Sequence, residues 1–341
     1  MPTDPTAPVV RELLVRQLET WLPAALHRSR RATVALAYAG GDAGTAADAL
    51  RVVAEYADRL RGRRLTVLVL ATATDLPARL GPIEAGLPPE VAVHVVPGDP
   101  SRLPVAVKAS GAAGAPTFSF VDAAGAPVED DAPGSVEDDA PGPAGDDAGG
   151  RSGRAATSPP AGHPTAGVDG AVLAATAIGR PAEVLLRLPG GSARAALGGA
   201  GFPLATEVEL VPADGAPVTL AFGTGSDRSL EAVKEALWAV DEFAGVRYRD
   251  PADPAGRLLD IALDPEPGPL RRELLAELAR SGPRTVTELR RYTLTSTVYR
   301  STDAVRALTG LLNAEAVTRD PAQGRLGGDV VISSASPEPP A

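Results

Sequence analysis

From Val9 to Arg30 the apolar side chains return with a helical period. Leu13, Leu14, Leu18, Trp21, Leu22, Ala25 and Leu26 share one face, which predicts an amphipathic helix. The pattern then changes. Apolar runs of strand length at Thr33–Ala39, Leu65–Ala71, Val91–Val96 and Pro116–Val121 alternate with helical stretches at Gly44–Leu60, Asp75–Glu84 and Pro100–Ser110. Strands apolar on both sides and separated by helices are what a parallel sheet requires, because each parallel link needs a crossover and the crossovers cover both faces. The reading is α/β, a doubly wound Rossmann-like sheet.

The rhythm stops at Pro127. Between Pro127 and Gly150 stand eight acidic residues and no basic one, and Val-Glu-Asp-Asp-Ala-Pro-Gly occurs twice, at 128–134 and 136–142. Such a segment buries too little apolar surface to offset its ordering entropy, so residues 127–167 are expected to form a disordered acidic insertion. The pattern resumes with a helix at Asp169–Ile178, a strand at Ala182–Leu188, and a strand pair Glu207–Val211 and Val218–Phe222 around the turn at 212–215. A helix over Ser229–Val240 follows, and the prolines between Asp250 and Pro269 mark an expected boundary. The expected divisions are an N-terminal helix (1–30), an α/β domain (31–126 and 168–252) and a small C-terminal domain (266–335).

That last segment reads as helix Leu270–Arg280, a second helix opened by the capping box Thr285/Glu288, a third helix Thr302–Asn313, and a hairpin from Ala316–Arg319 to Gly328–Ser333. Three helices and a two-stranded ribbon make a winged-helix layout. The third helix is expected to turn Thr302, Asp303, Arg306, Thr309 and Asn313 outward.

Composition narrows the chemistry. The 341 residues include no cysteine and three histidines far apart (His27, His94, His163), so thiolate or His-built metal centres and a Ser-His-Asp triad are not expected. No apolar run reaches membrane-spanning length, and the opening Met1–Thr6 has neither a basic nor an apolar leader region. A cytoplasmic protein with no membrane contact is the expectation. The net charge is −10, yet Pro267–Ser333 holds ten Arg against seven Asp and Glu. Any DNA contact is therefore to be sought there, through Arg284, Arg290, Arg291, Arg300, Arg306, Arg319 and Arg325. Trp21 and Trp238 read as core anchors, Gly223–Gly225 as a tight left-handed turn, and Lys234 as a solvated helix position.

One block carries a resemblance. Leu220–Asp241 contains Thr224 after a strand, the pair Leu230-Glu231, and Lys234-Glu235-Ala236 followed by Trp238. It resembles the corresponding block of the three-Cys-motif partner (TcmP) family. Phe118–Gly125 resembles that family's next-strand end, and Gly98-Asp99 sits where the family places its own pair. The resemblance runs in order along most of the chain. It implies a class I methyltransferase-like fold, S-adenosylmethionine as cofactor and a three-Cys-motif protein as partner; on composition, no metal is expected. On its terms Tyr38, Gly40, Gly41 and Asp99 would meet the cofactor, and Asp122 would open a catalytic loop. Leu36, however, stands where the family has an acid, Ala37 and Asp42 replace glycines, and Ala73 occupies the position of the carboxylate that accepts the ribose hydroxyls. Losing that carboxylate alone removes hydrogen bonds worth about 1.5–3 kcal/mol. The expectation is a non-catalytic scaffold whose winged helix docks a partner or DNA. An active S-adenosylmethionine-dependent methyltransferase and a ligand-sensing DNA-binding regulator are the alternatives.

Overall fold

A computed structural model describes residues 4–40, 43–125, 167–240, 246–253, 255–259 and 267–335. The expected acidic insertion, Gly167 apart, lies outside the described residues, as do Gly41 and Asp42.

The first part of the chain runs α1 (Ala7–Arg28), β1 (Arg31–Tyr38), α2 (Gly44–Glu55), β2 (Arg64–Ala71), α3 (Leu76–Glu84), β3 (Val91–Pro97), α4 (Leu103–Ala109) and β4 (Thr117–Asp122). After the insertion come α5 (Gly170–Thr176), β5 (Ala182–Leu188), α6 (Arg194–Ala200), β6 (Leu204–Val211), β7 (Val218–Thr224) and α7 (Asp227–Ala239). Two short strands, β8 (Arg247–Arg249) and β9 (Leu258–Leu259), follow. The nine strands form one sheet in the order β3-β2-β1-β4-β5-β7-β6-β8-β9. Pairing is parallel from β3 to β5, and β7 runs antiparallel to both β5 and β6. This is a mixed α/β fold with a large, mostly parallel central sheet.

Alternation along the strands sorts the layers. Val34, Leu36 and Tyr38 of β1 face a core shared with α1, α2, α3 and α7. Ala35 and Ala37 face the opposite core, shared with α4, α5 and α6. The chain therefore changes sides between β1 and β4, which makes their carboxyl ends the topological switch point. Both tryptophans are buried, and Trp21 packs on Phe118 with ring centroids 5.8 Å apart.

Several sequence expectations shift. The helix expected over Gly44–Leu60 ends at Glu55 and continues as a 3₁₀ turn, Ala57–Leu60. Pro100–Arg102 is likewise a 3₁₀ turn ahead of α4. Helix α6 was not legible, since Gly198 and Gly199 weaken its pattern. The left-handed turn at Gly223–Gly225 does not form, and neither glycine has a positive φ. Gly223 lies inside β7, where a Cβ would stand 3.0 Å from Leu197 and Phe202 side-chain atoms, so it answers to packing.

The C-terminal part holds α8 (Gly268–Ser281), β10 (Arg284–Thr285), α9 (Val286–Ser296), α10 (Ser301–Asn313), β11 (Val317–Asp320) and β12 (Val331–Ser334). Its strands form a separate sheet, β10-β12-β11. The Thr285/Glu288 capping box forms. Leu274, Leu289, Leu308 and Ile332 belong to the same apolar cluster as the α1 face of the large sheet, so the two parts share a continuous core.

Candidate functional site

Parallel register sets Tyr38, the last residue of β1, beside Asp122, the last of β4. The two stand together because both end a strand on the α1 side of the switch point. Tyr38 is 1% exposed, packs edge-on against Phe120, and shares a 2.8 Å hydrogen bond between its hydroxyl and that of Thr45. It is a core residue with a satisfied polar end.

Asp122 is held by the chain itself. Arg187 of β5 donates to both its carboxylate oxygens, at 3.0 and 3.2 Å, and the Ala124 backbone N–H donates at 3.1 Å. The same guanidinium reaches the Asp4 carboxylate and the Thr6 hydroxyl (3.1 Å), which ties the segment before α1 over the switch point. Burial pushes the Asp122 pKa up, and the Arg187 charge pulls against it. Neither Arg187 nor Asp4 stood out as a site residue. The available signal was an Arg in the buried strand pattern of Ala182–Leu188.

Gly40 approaches the backbone after β4. A Cβ placed on Gly125 would stand 2.8 Å from the Gly40 Cα and 3.0 Å from its nitrogen. Gly125 is needed for this backbone-to-backbone contact, and a Cβ on Gly40 would press on the Gly125 Cα at 3.3 Å. Asp99 lies at the same sheet edge but two strands away. It is exposed and accepts from the Ser101 N–H at 2.8 Å, the bond that caps the 3₁₀ turn; hydrogen bonding to the Ser101 side chain first, and to its backbone, lowers its pKa. Ala73 is half-buried against the α1-side core and Leu36 is wholly buried. Tyr38, Gly40, Asp99 and Asp122 thus share one edge, where Tyr38 and Asp122 meet and Asp99 stands apart. Among the described residues, no three His, Asp or Glu side chains converge as a metal-binding group. No helix among them is long and apolar enough to cross a membrane.

A second constellation joins the two parts of the fold, and here the expectation of a solvated Lys234 is overturned. Lys234 is fully buried. Its Nζ donates to the carbonyls of Leu294 (2.5 Å), Thr297 (2.6 Å) and Tyr299 (2.9 Å), with Thr293 at 3.4 Å. Burial, together with the nearby Arg194 charge, draws its pKa down to about 7. The carbonyls pull the other way, since only an ammonium carries three N–H donors for them. One turn further along α7, Trp238 donates to the Val298 carbonyl at 3.3 Å and stacks on Tyr299, centroids 5.4 Å apart. Glu231 accepts from the Ser301 N–H at the start of α10, at 3.1 Å. The periodicity that put Leu230, Val233 and Leu237 inward could not reveal that the end of α9 and the segment leading to α10 cover Lys234 as well.

The seven C-terminal arginines are distributed as follows. Arg300 pairs with Asp303 at 2.8 Å and lies over the Trp238 ring. Asp303, read as outward, is buried by that pairing, with Arg306 at 3.7 Å. Arg284 pairs with Glu288 (3.3 Å), and Arg291 pairs with Asp227 of α7 (2.7 Å). Arg319 donates to the carbonyls of Pro321, Gly324 and Arg325, shaping the β11–β12 loop. Arg290 and Arg325 are exposed.

No protein-family model matches the chain, and no curated protein matches it.

Proposed function

We propose that this chain is a non-catalytic, class I methyltransferase-like scaffold, related to the three-Cys-motif partner proteins, that carries a winged-helix unit for docking a protein partner. A cytoplasmic location accords with it. The observation that carries the proposal is self-occupation of the switch point. Gly40 is packed on Gly125, Asp122 is committed to Arg187 and Asp4, and Asp99 caps its own turn. With Leu36 and Ala73 in place of two carboxylates, these residues do not fit S-adenosylmethionine, and no methyl-transfer step is derived through it.

The strand order 3-2-1-4-5-7-6 with a reversed β7 supports the methyltransferase-like reading. The succession α8, β10, α9, α10, β11, β12 with one three-stranded sheet supports the winged helix. Docking a protein is favoured over reading DNA by the placement of α10. Its amino-terminal end, which in such units meets base edges, is fixed to α7 through Glu231, Arg300 and the Lys234 cage. Calorimetric titration with S-adenosylmethionine tests the scaffold reading. No heat of binding is expected at up to 100-fold the protein concentration, and a micromolar dissociation constant would overturn it.

A further inference from the structure

The amino-terminal edge of the large sheet, opposite the switch point, gathers positive charge that neither site above uses. Arg28 ends α1, Arg30 and Arg31 lead into β1, and Arg61, Arg63 and Arg64 lead into β2. With His27, Ser29 and Gly62, most of these arginines line an open cleft. Register puts Arg31 directly beside Arg64. Arg63 is half-buried and donates to the Ser29 carbonyl at 3.1 Å, fixing the cleft floor, and the other five arginines are exposed.

Little answers this charge from within. Asp58 pairs with Arg61 at 3.2 Å, but both side chains are over 80% exposed, and such a pair is weak. Glu183, which feels Arg28 at a distance, is already taken up by Gln17 and Ser229. Glu90 precedes β3 at the same edge and stands in no ion pair with these arginines. Arg28, Arg30, Arg31, Arg63 and Arg64 form no ion pair among the described residues. Arg28 in the last turn of α1 offsets the helix dipole, which accounts for that one cation. It does not account for like charges side by side on neighbouring strands, an arrangement unfavourable to the sheet, in a chain of net charge −10.

We infer that this edge binds the phosphate backbone of a duplex nucleic acid. Guanidinium forks match phosphate oxygens two at a time. Neighbouring strands place Arg31 and Arg64 about 4.8 Å apart at the backbone, close enough for extended side chains to meet successive phosphates. No Phe, Tyr or Trp lines the cleft. Single strands are held by aromatic platforms, so a duplex gripped by its backbone is the better fit, without base readout. Outside this edge and the C-terminal segment the chain is strongly acidic, which repels a polyanion and favours its approach here.

The experiment is fluorescence anisotropy of the full chain with a labelled 20-base-pair DNA duplex of arbitrary sequence, from 50 to 200 mM salt. Binding is expected to weaken steeply with salt. Arg31→Gln/Arg64→Gln should lower affinity about tenfold and make the log–log salt slope shallower by about 2. Arg30→Gln/Arg61→Gln should reproduce the loss and decides the matter if the first pair unfolds. Arg290→Gln/Arg325→Gln, on the C-terminal unit, should leave binding unchanged. No binding at 50 mM salt overturns the inference. So does binding insensitive to the edge variants or abolished by the C-terminal pair, and so does displacement of the duplex by micromolar inorganic tripolyphosphate. Failure here leaves the scaffold reading intact, because S-adenosylmethionine titration probes the other edge.

Discussion

Replacing Lys234 by Met keeps the length and apolar stem of the side chain and removes only the ammonium. In the native fold that ammonium serves carbonyls at 2.5, 2.6 and 2.9 Å. The fourth, Thr293, keeps a 2.7 Å hydrogen bond from the Thr297 hydroxyl. Three charge-assisted bonds at about 1.5–3 kcal/mol each amount to roughly 4.5–9 kcal/mol of lost interaction. Against this, the variant no longer desolvates an ammonium, which recovers several kcal/mol. The net destabilisation is expected to be about 3 kcal/mol, or a fall of about 1 M in the urea midpoint for a slope near 3 kcal/mol/M. Amide hydrogen exchange should rise first over residues 297–301, where the cage closes. Midpoints within 0.3 M of each other (about 1 kcal/mol), or a more stable variant, would refute the reasoning and show that an apolar joint serves as well.

Two further expectations follow from the same geometry. Gly125→Ala places a Cβ 2.8 Å from the Gly40 backbone, so the switch point must open, and thermal unfolding should register a loss of about 1–3 kcal/mol; an unchanged melting temperature would mean that the two backbones are not in contact. Glu273 in α8 has its pKa raised to about 7 by burial and by the Asp250 charge. The folded state therefore holds more protons than the unfolded one between pH 4.5 and 7, and stability falls as pH rises through that window. Glu273→Gln removes the effect and, discounted for partial exposure, should gain about 1–2 kcal/mol over the native chain at pH 8 and little at pH 5; urea midpoints at the two pH values check it, and parallel behaviour would contradict it.

Asp122 was legible as the end of a strand in a motif-like context, and the structure gives it an ordinary physical occupation. A buried carboxylate needs a partner, and Arg187 supplies one while also capturing Asp4. The block around Lys234 and Trp238 is the joint between the large sheet and the C-terminal unit. Residues in such a block can be held by packing as firmly as others are held by chemistry.

Local patterning alone determined a great deal about this chain. Apolar runs of strand length, helical periodicity and the Thr285/Glu288 cap depend on neighbours a few residues away, so most elements of both parts could be read directly. Pairing of distant segments decided the rest. Whether Lys234 meets water or a ring of carbonyls depends on residues 59 to 65 positions away. Whether Asp122 is free depends on Arg187, 65 positions on. That Arg31 lies beside Arg64 is a matter of register alone. A side chain's charge is written in the sequence, but its solvent and its counter-ions are set only when remote backbone closes around it.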